Sequence, residues 1–283
     1  MNVYLKSKNN ENKILVKYIL LLIPFLIYGF YKNGILLYKG EYVNIFYMFK
    51  PLIIAILISY LFTKYKKEEF ISYRLYLNIL SSLIVLPNTN IFIYLIILFL
   101  VNILYTFKKV NISLITILLL IIVSMIFSKY SFLNVYEESV NHSYSITNYL
   151  FGNGSGGISN TLFIYSILVF IYLICDFSYK KHIVVTSLTV YYILLIISFV
   201  LFKKFDYNLL LNNNLVFSFI FLNTISIFTP YTKGGCYLYG FILGLISFCF
   251  SFIDINLGVY LISLILSFTS LYFDKLILKI SSK

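Results

Sequence analysis

The stretch Phe221–Gly240 has the sequence FLNTISIFTPYTKGGCYLYG, in which one apolar run stops at a break and a second apolar run begins. Pro230 in the break removes a backbone donor and fixes φ. Gly234 and Gly235 allow positive φ. Between two membrane helices, such a break predicts a sharp re-entry of the chain that can line a binding site. On spacing alone, a tight hairpin that only connects two spans is favoured, since most such loops only connect.

The composition around this stretch is that of a membrane protein. Of the 283 residues, 61% are hydrophobic and 11% are charged, and the mean hydropathy is +0.93. A soluble domain has roughly 45–50% apolar and about 25% charged residues. The sequence therefore predicts an all-α polytopic membrane protein. No cleavable signal is expected, because no small-residue cleavage pattern follows the apolar run from Ile14.

Hydropathy predicts ten spans, since a span needs about 20 mostly apolar residues. They lie at residues 14–31, 43–63, 71–87, 90–107, 111–128, 160–178, 181–202, 210–228, 235–254 and 256–275. This gives a first five-helix half with a basic tail over residues 1–128, an extracytoplasmic loop over residues 129–159, and a second five-helix half with a short basic tail over residues 160–283. Two equal halves suggest an internal structural repeat, as in many transporters.

The charge pattern predicts the orientation of the chain. The net charge is +12, which in a soluble protein would suggest a nucleic-acid partner. Here most of the 22 lysine and arginine residues lie between spans, where the positive-inside rule explains them better. We expect a multi-pass protein of the cell membrane with both termini cytoplasmic, in contact with the lipid bilayer and not with nucleic acid.

Few side chains suited to chemistry are present. The cysteines lack CxxC spacing and have the character of small apolar residues; they are Cys175, Cys236 and Cys249. Only two histidines occur, far apart, so no metal site is predicted. Four aspartates are placed at span ends, namely Asp176, Asp206, Asp254 and Asp274. The deepest polar groups are Lys50, Asn78, Asn102 and Asn223, and Lys50 is expected to extend to the near interface.

The predicted extracytoplasmic loop carries Glu137, Glu138 and His142, and then the glycine-rich sequence GNGSGG over residues 152–157. A glycine-rich loop can bind phosphate through its backbone N–H groups. There is no GxxxxGK[ST] sequence and no preceding strand, which excludes a nucleotide-binding P-loop. On composition alone, a linker is favoured over a ligand-binding loop.

Three motifs follow in order from the predicted extracytoplasmic loop to the end of the second half. The first, which in a known family begins the sixth span as GNxxGSIGETS, is matched at Gly152, Asn153, Gly156, Ile158 and Thr161. The second, FxxTD followed by SPxT, Gly and Tyr-Gly, is matched at Phe221, Thr224, Pro230, Thr232, Gly235, Tyr239 and Gly240. The third, Glu-Gly-Val before an apolar span that ends in Asp, is matched at Gly258, Val259 and Asp274. Over about residues 148–280, the chain thereby resembles the family of the RnfD and NqrB membrane subunits.

This resemblance implies a membrane subunit of an ion-translocating electron-transport complex in a bacterial cell membrane, with other membrane subunits as partners and FMN or another flavin as cofactor. The candidate cofactor-binding residues that it implies are Gly152, Asn153, Gly156, Thr161, Thr224, Pro230, Thr232 and Gly235. The family's Ser-Gly-Ala-Thr motif, whose Thr carries FMN covalently, is absent. Thr147 is the nearest counterpart, so a non-covalent flavin is favoured over a covalent one. No catalytic residue is assigned.

The chain departs from the family at its acidic positions. Asn160, Ile225 and Leu257 stand where the family has Glu, Asp and Glu, so a direct copy of the family's ion handling is not expected. Two alternatives therefore remain open: a transporter or channel on the same scaffold without redox chemistry, and a purely structural subunit. An enzyme for lipid-linked glycans would need Arg or His in the large loop to bind phosphate, and this loop offers only His142 and Lys129.

Overall fold

The computed structural model describes residues 8–36, 49–85, 89–126, 150–152, 157–176, 178–202, 207–253 and 255–281. Within these ranges the chain is helical and contains no strand. The α-helices are α1 (Lys8–Phe30), α2 (Lys50–Lys66), α3 (Tyr73–Ile84), α4 (Ile91–Phe107), α5 (Ile112–Ile126), α6 (Phe163–Ile174), α7 (Lys181–Phe202), α8 (Tyr207–Leu210), α9 (Asn213–Phe217), α10 (Lys233–Phe250) and α11 (Ile255–Ser281). Two π-helices, Tyr31–Leu36 and Ser218–Leu222, continue α1 and α9, and a 3-10 turn covers Ser226–Phe228.

Helix lengths and apolar composition confirm an all-α polytopic membrane protein. Four of the described helical stretches are long and apolar enough to cross a membrane: Glu11–Asn33, Lys181–Phe202, Lys233–Phe250 and Leu257–Ile280. Shorter apolar helices accompany them at Ile91–Phe107, Ile112–Ile126, Phe163–Ile174 and Asn213–Leu222.

The surfaces of these helices have the polarity expected in a bilayer. On α4, Phe92, Ile96 and Phe99 are exposed, whereas Asn102 is buried. A helix of a soluble protein would have the reverse arrangement, with its apolar stripe facing the core. Large apolar side chains on the outside and polar ones inside are stable only where the surroundings are hydrocarbon.

Side-chain caps fix where several helices begin. Asn90 accepts a hydrogen bond from Phe92 N at 2.9 Å at the start of α4. Asn212 and Thr232 cap α9 and α10 in the same way, accepting from Leu215 N and Gly235 N. Each cap satisfies a backbone donor that has no partner within the helix, and an unsatisfied donor is expensive in a membrane.

The chain divides into two compact units, an N-terminal unit over Ser7–Leu162 and a C-terminal unit formed mainly by Phe163–Lys283. In the N-terminal unit, α3 packs against α1, α2 and α5, while α4 packs against α2 and α5. In the C-terminal unit, α9 and its π-helix pack against α6, α7 and α11, while α10 packs against α7 and α11. The two units therefore share one packing scheme, with α1, α2, α3, α4 and α5 equivalent to α6, α7, α9, α10 and α11.

The third helix of each unit is shorter than the span predicted for it. In place of a span over residues 71–87, α3 has twelve residues, all buried except Tyr73. In place of a span over residues 210–228, the chain forms α9, a π-helix and a 3-10 turn, with a break around Asn223. Mean hydropathy cannot separate a helix surrounded by protein from one surrounded by lipid, because both are rich in apolar residues, even where the helix buries polar side chains as α3 does. About 20 residues are needed for a full crossing.

Two glycines allow α7 and α10 to pack closely. A Cβ at Gly240 would overlap Thr186 Oγ1, and a Cβ at Gly244 would lie 2.5 Å from Ser187 O. Glycines four residues apart on one helix face let backbones approach in membrane proteins, where close contact replaces the hydrophobic driving force. This contact places the start of α10, and therefore the turn of residues 226–232 before it, against the start of α7.

Candidate functional site

The Phe221–Gly240 stretch leaves regular helix geometry before it reaches the proline. The π-helix Ser218–Leu222 ends at Asn223, whose N donates to Ser218 O at 3.0 Å. Ile220 O accepts from both Tyr179 Oη at 3.0 Å and Thr224 Oγ1 at 2.6 Å. Side-chain hydroxyls thus satisfy a carbonyl that the broken helix leaves without its usual partner.

The Thr-Pro turn that follows, defined here as residues 226–232, surrounds the side chain of Lys180. The Nζ atom donates to Thr229 O at 2.9 Å, Thr229 Oγ1 at 2.7 Å and Pro230 O at 2.7 Å, and it lies 3.3 Å from Ser226 O. The Tyr231 ring centroid is 4.8 Å from Nζ. Lys180 is only 1% exposed, so oxygens of the turn replace the water that an ammonium normally requires.

The opposite side of the turn is bound by a carboxylate. Asp274 Oδ2 accepts from Tyr231 N at 2.8 Å, and Oδ1 accepts from Thr232 N at 2.9 Å and from Thr232 Oγ1 at 2.7 Å. Asp274 is buried. The sequence placed it at the end of a span, but α11 continues to Ser281. Asp274 therefore lies within the helix, where its cost of burial is offset by three hydrogen bonds.

A polar network lies beneath the turn. Asn223 Nδ2 donates to Ser263 Oγ at 2.8 Å and to Ser218 O at 3.1 Å, and Asn223 Oδ1 accepts from Tyr239 Oη at 3.2 Å. The network joins the π-helix to α10 and α11. Such interhelical bonds take the place of apolar association in a membrane protein.

In the N-terminal unit, Gly152 and Ile158 are held by the π-helix that continues α1. Lys32 Nζ donates to Gly152 O at 2.7 Å, and Asn33 Nδ2 donates to Ile158 O at 2.6 Å. Gly152 has φ +90°, a backbone conformation that favours glycine. A Cβ at Gly157 would lie 2.5 Å from Ile84 O, so this part of the segment passes directly against the end of α3.

Asn160, which replaces a family glutamate, has a structural role. Its Oδ1 accepts from Gly157 N at 2.8 Å and it is 0% exposed. The segment also pairs with the end of α3, because Ile158 N donates to Val85 O and Ser159 N donates to Leu83 O. The amide closes a buried turn at this position without placing a negative charge there.

A second buried polar network lies inside the N-terminal unit. Asn78 and Asn102 exchange two amide hydrogen bonds, at 3.2 and 3.0 Å, and Asn78 Nδ2 also donates to Ser59 Oγ at 2.7 Å. Arg74 Nη1 lies 3.3 Å from Asn102 O, and its guanidinium carbon is 4.8 Å from the centroid of the Tyr105 ring. These bonds link α2, α3 and α4.

The candidate cofactor residues fall into both units. Gly152 and Thr161 belong to the N-terminal unit, and Thr224, Pro230, Thr232 and Gly235 belong to the C-terminal unit. Three candidates, Thr147, Asn153 and Gly156, lie outside the described residues. Among the described ones, Thr161 has a hydroxyl that is buried without a hydrogen-bond partner. The hydroxyls of Thr224 and Thr232 are bonded within the protein.

The positions of the other two replaced acids also contain no charge. Ile225 is buried and its carbonyl accepts from Thr229 Oγ1 at 2.9 Å, while Leu257 is half-buried near the start of α11. In the part of the chain that the structure describes, no group of three or more His, Cys, Asp or Glu side chains could hold a metal ion.

Sequence reasoning missed the buried cations. Lys180 is the first member of a Lys-Lys pair between two apolar runs, and the positive-inside rule predicts that both it and Arg74 are ordinary cytoplasmic charges. Both are 1% exposed. The sequence contains no signal that separates Lys180 from Lys181, since only the fold brings the oxygens of residues 226–230 around one of them.

The similarity to known proteins is at the level of the family. No curated protein matches the chain. The model of the NQR2, RnfD, RnfE family matches residues 1–279, which is nearly the whole chain and includes the first five predicted spans, where no sequence motif was matched. The resemblance drawn from the second half is confirmed, and the chain belongs to the NQR2, RnfD, RnfE family.

Proposed function

We propose that this protein is the membrane subunit of an ion-translocating electron-transport complex of the Rnf and Nqr type. Support comes from family membership over residues 1–279. The structural observation that carries the proposal is the short buried third helix in each unit, α3 and α9, which stops inside the protein next to a polar segment. Membrane proteins that move ions or hold cofactors place their sites at such interrupted helices.

The two buried charged side chains at the Thr-Pro turn already have partners. Asp274 binds backbone N–H groups and Lys180 binds carbonyl groups of the same turn. An ion that moved through this unit would have to use dipoles, since Ile225 and Leu257 offer no charge. In the native chain, where Lys180 occupies the Thr-Pro turn, we therefore assign this turn the task of holding the helices in register, and not that of a ligand for a transported ion.

A non-covalent flavin is part of the proposal. When bound, a flavin accepts one or two electrons, while the protein sets its position and potential. The described atoms of the Thr-Pro turn do not fit this group, because Thr232 Oγ1 is bonded to Asp274 and a Cβ at Gly235 would lie 2.7 Å from that carboxylate. Thr161 fits better, since its buried hydroxyl has no partner.

The first experiment asks which proteins accompany the chain. The tagged protein would be extracted from its own membranes in mild detergent, and co-purifying subunits and acid-released flavin would be identified by mass spectrometry and fluorescence. We expect companion subunits with iron–sulfur or flavin cofactors. A chain that purifies alone and drives ion uptake in proteoliposomes without an electron donor would instead be a transporter.

The second experiment tests the flavin contact with a matched pair of variants. Thr161→Val and Thr116→Val each remove a buried hydroxyl that has no hydrogen-bond partner. If Thr161 contacts the flavin, only Thr161→Val lowers the flavin content of the complex. Equal flavin content in both variants would remove Thr161 from the proposed site.

A further comparison tests whether the subunit is purely structural. If Thr224→Val and Thr232→Val left electron transfer intact while deletion of the chain abolished assembly of the complex, the subunit would be purely structural.

A further inference from the structure

The ammonium of Lys180 has more acceptors within reach than hydrogens to donate. An ammonium group has three N–H donors. Four oxygens from Ser226, Thr229 and Pro230 lie 2.7 to 3.3 Å from Nζ, and the face of Tyr231 lies beside them with its ring centroid at 4.8 Å. Oxygens that surround one charge on several sides form a coordination shell.

The turn builds this shell without help from the lysine. Thr229 Oγ1 donates to Ile225 O at 2.9 Å, and Phe228 N donates to the same carbonyl at 3.0 Å. Tyr231 N is held by Asp274 at 2.8 Å. Pro230 fixes its own φ. Lys180 reaches the shell from the separate segment before α7, so shortening its side chain leaves these bonds in place.

The chemistry of the shell selects one class of ion. Backbone carbonyl oxygens replace the hydration shell of monovalent cations in channel filters, and an aromatic face attracts a cation. Mg²⁺ and Ca²⁺ are instead bound by sites that include carboxylates, whereas the four oxygens that Ser226, Thr229 and Pro230 present to Nζ are carbonyl or hydroxyl oxygens. The shell therefore suits a single monovalent cation.

We propose that residues 226–231 form a binding site for one monovalent cation of the ammonium or alkali class, and that the Lys180 side chain fills this site as a tethered cation. The tether keeps the site closed to free ions in the native chain. The inference does not use the redox proposal, because it rests on the oxygens around Nζ alone.

The test is chemical rescue of Lys180→Ala. Thermal unfolding of the detergent-solubilised protein would be followed at constant ionic strength in methylammonium, ammonium, potassium or tetramethylammonium chloride. We expect the substitution to lower the Tm by about 4 °C or more. Methylammonium or ammonium should restore at least half of that loss in a saturable way. Tetramethylammonium, which has no N–H and is larger, should restore none.

Lys181→Ala is the matched control. Lys181 is the next residue and is half-buried, and its Nζ donates to Ile174 O at 3.2 Å. The Tm of Lys181→Ala should not rise in methylammonium or ammonium relative to tetramethylammonium, and the Tm of the wild-type protein should not either. Rescue of Lys180→Ala by tetramethylammonium to the same extent, or no rescue by methylammonium, ammonium or potassium, would overturn the proposal.

Lys180→Met keeps the test decisive if the alanine variant is hard to isolate. Methionine fills the volume but brings no charge, so we expect a lowered Tm without rescue; a Tm within about 1 °C of the wild type would overturn the proposal. Recovery of Lys180→Ala only when methylammonium is present during extraction would support it. Failure to recover this variant even then, while Lys181→Ala is recovered, would count against it.

Discussion

Lys180 and Asp274 bind opposite ends of one peptide group. Lys180 Nζ donates to Pro230 O at 2.7 Å, and Asp274 Oδ2 accepts from the N–H of the following residue, Tyr231, at 2.8 Å. Two buried side chains of opposite charge thereby bind the carbonyl oxygen and the N–H of the peptide group between Pro230 and Tyr231. The turn between α9 and α10 is fixed by charge-assisted hydrogen bonds, which are about twice as strong as neutral ones.

The carboxylate of Asp274 should be essential for the stability of this turn. Asp274→Ala leaves the backbone N–H groups of Tyr231 and Thr232 and the Thr232 hydroxyl without their acceptor, and we expect a loss of about 3 kcal/mol in the free energy of unfolding. Asp274→Asn should lose less, because one oxygen remains. Unfolding in mixed micelles measures both. The exposed neighbour Lys275→Ala serves as control, and equal losses for Asp274→Ala and Lys275→Ala would contradict this account.

Thr232 should require its hydroxyl and not its methyl group. The hydroxyl donates to Asp274 and accepts from Gly235 N, so it caps α10 and anchors α11 together. Thr232→Val should cost about 2 kcal/mol, whereas Thr232→Ser should cost a few tenths. Thermal unfolding of the two variants compares them directly. The prediction fails if serine is as damaging as valine.

Gly244 should tolerate no side chain. Its Cβ would lie 2.5 Å from Ser187 O on α7, a backbone atom that cannot move aside, and we expect Gly244→Ala to cost about 1–3 kcal/mol. Gly234→Ala is the control on the same helix, since its Cβ would lie 3.1 Å from Cδ1 and Cγ2 of the Ile277 side chain and not against a backbone atom. That change should stay within about 0.5 kcal/mol. Similar losses for both glycines would show that α7 and α10 do not pack here.

The amides of Asn78 and Asn102 should be energetically coupled. Each donates to the other, so removing one leaves its partner unsatisfied. In a double-mutant cycle with alanine, we expect the double variant to lose about 1 kcal/mol less free energy of unfolding than the two single variants lose together. Stability would be measured by unfolding in mixed micelles. Strict additivity would mean that the two amides act independently.

Asn33 should order the Gly152–Thr161 segment of the N-terminal unit. Its side chain donates to Ile158 O at 2.6 Å, and the neighbouring amides of Ile158 and Ser159 pair with the end of α3. Asn33→Ala should lower the free energy of local opening by about 1 kcal/mol, and hydrogen exchange at these two amides should therefore become roughly fivefold faster. Lys13→Ala, an exposed position on the preceding helix, should not change this exchange. Unchanged exchange in Asn33→Ala would refute the assigned role.

Part of the candidate site was foreseeable from the sequence. Pro230 with its neighbouring glycines predicted a break, and the structure has a buried turn there, because proline and glycine act through local backbone preferences. The buried positions of Asn78 and Asn102 were also foreseeable, since amides inside apolar runs must find partners. Lys180 was not, because its burial depends on oxygens about 50 residues away in the chain.

The sequence by itself determined that this is a helical membrane protein, to which family it belongs, and where its helices break. Hydropathy and the backbone preferences of proline and glycine depend only on residues close together in the chain. Only the tertiary structure decided which apolar runs are surrounded by protein, as for α3, and which charges are buried, as for Lys180 and Asp274. Lipid and protein interior are equally apolar, so one stretch of chain suits both until its neighbours in space are known.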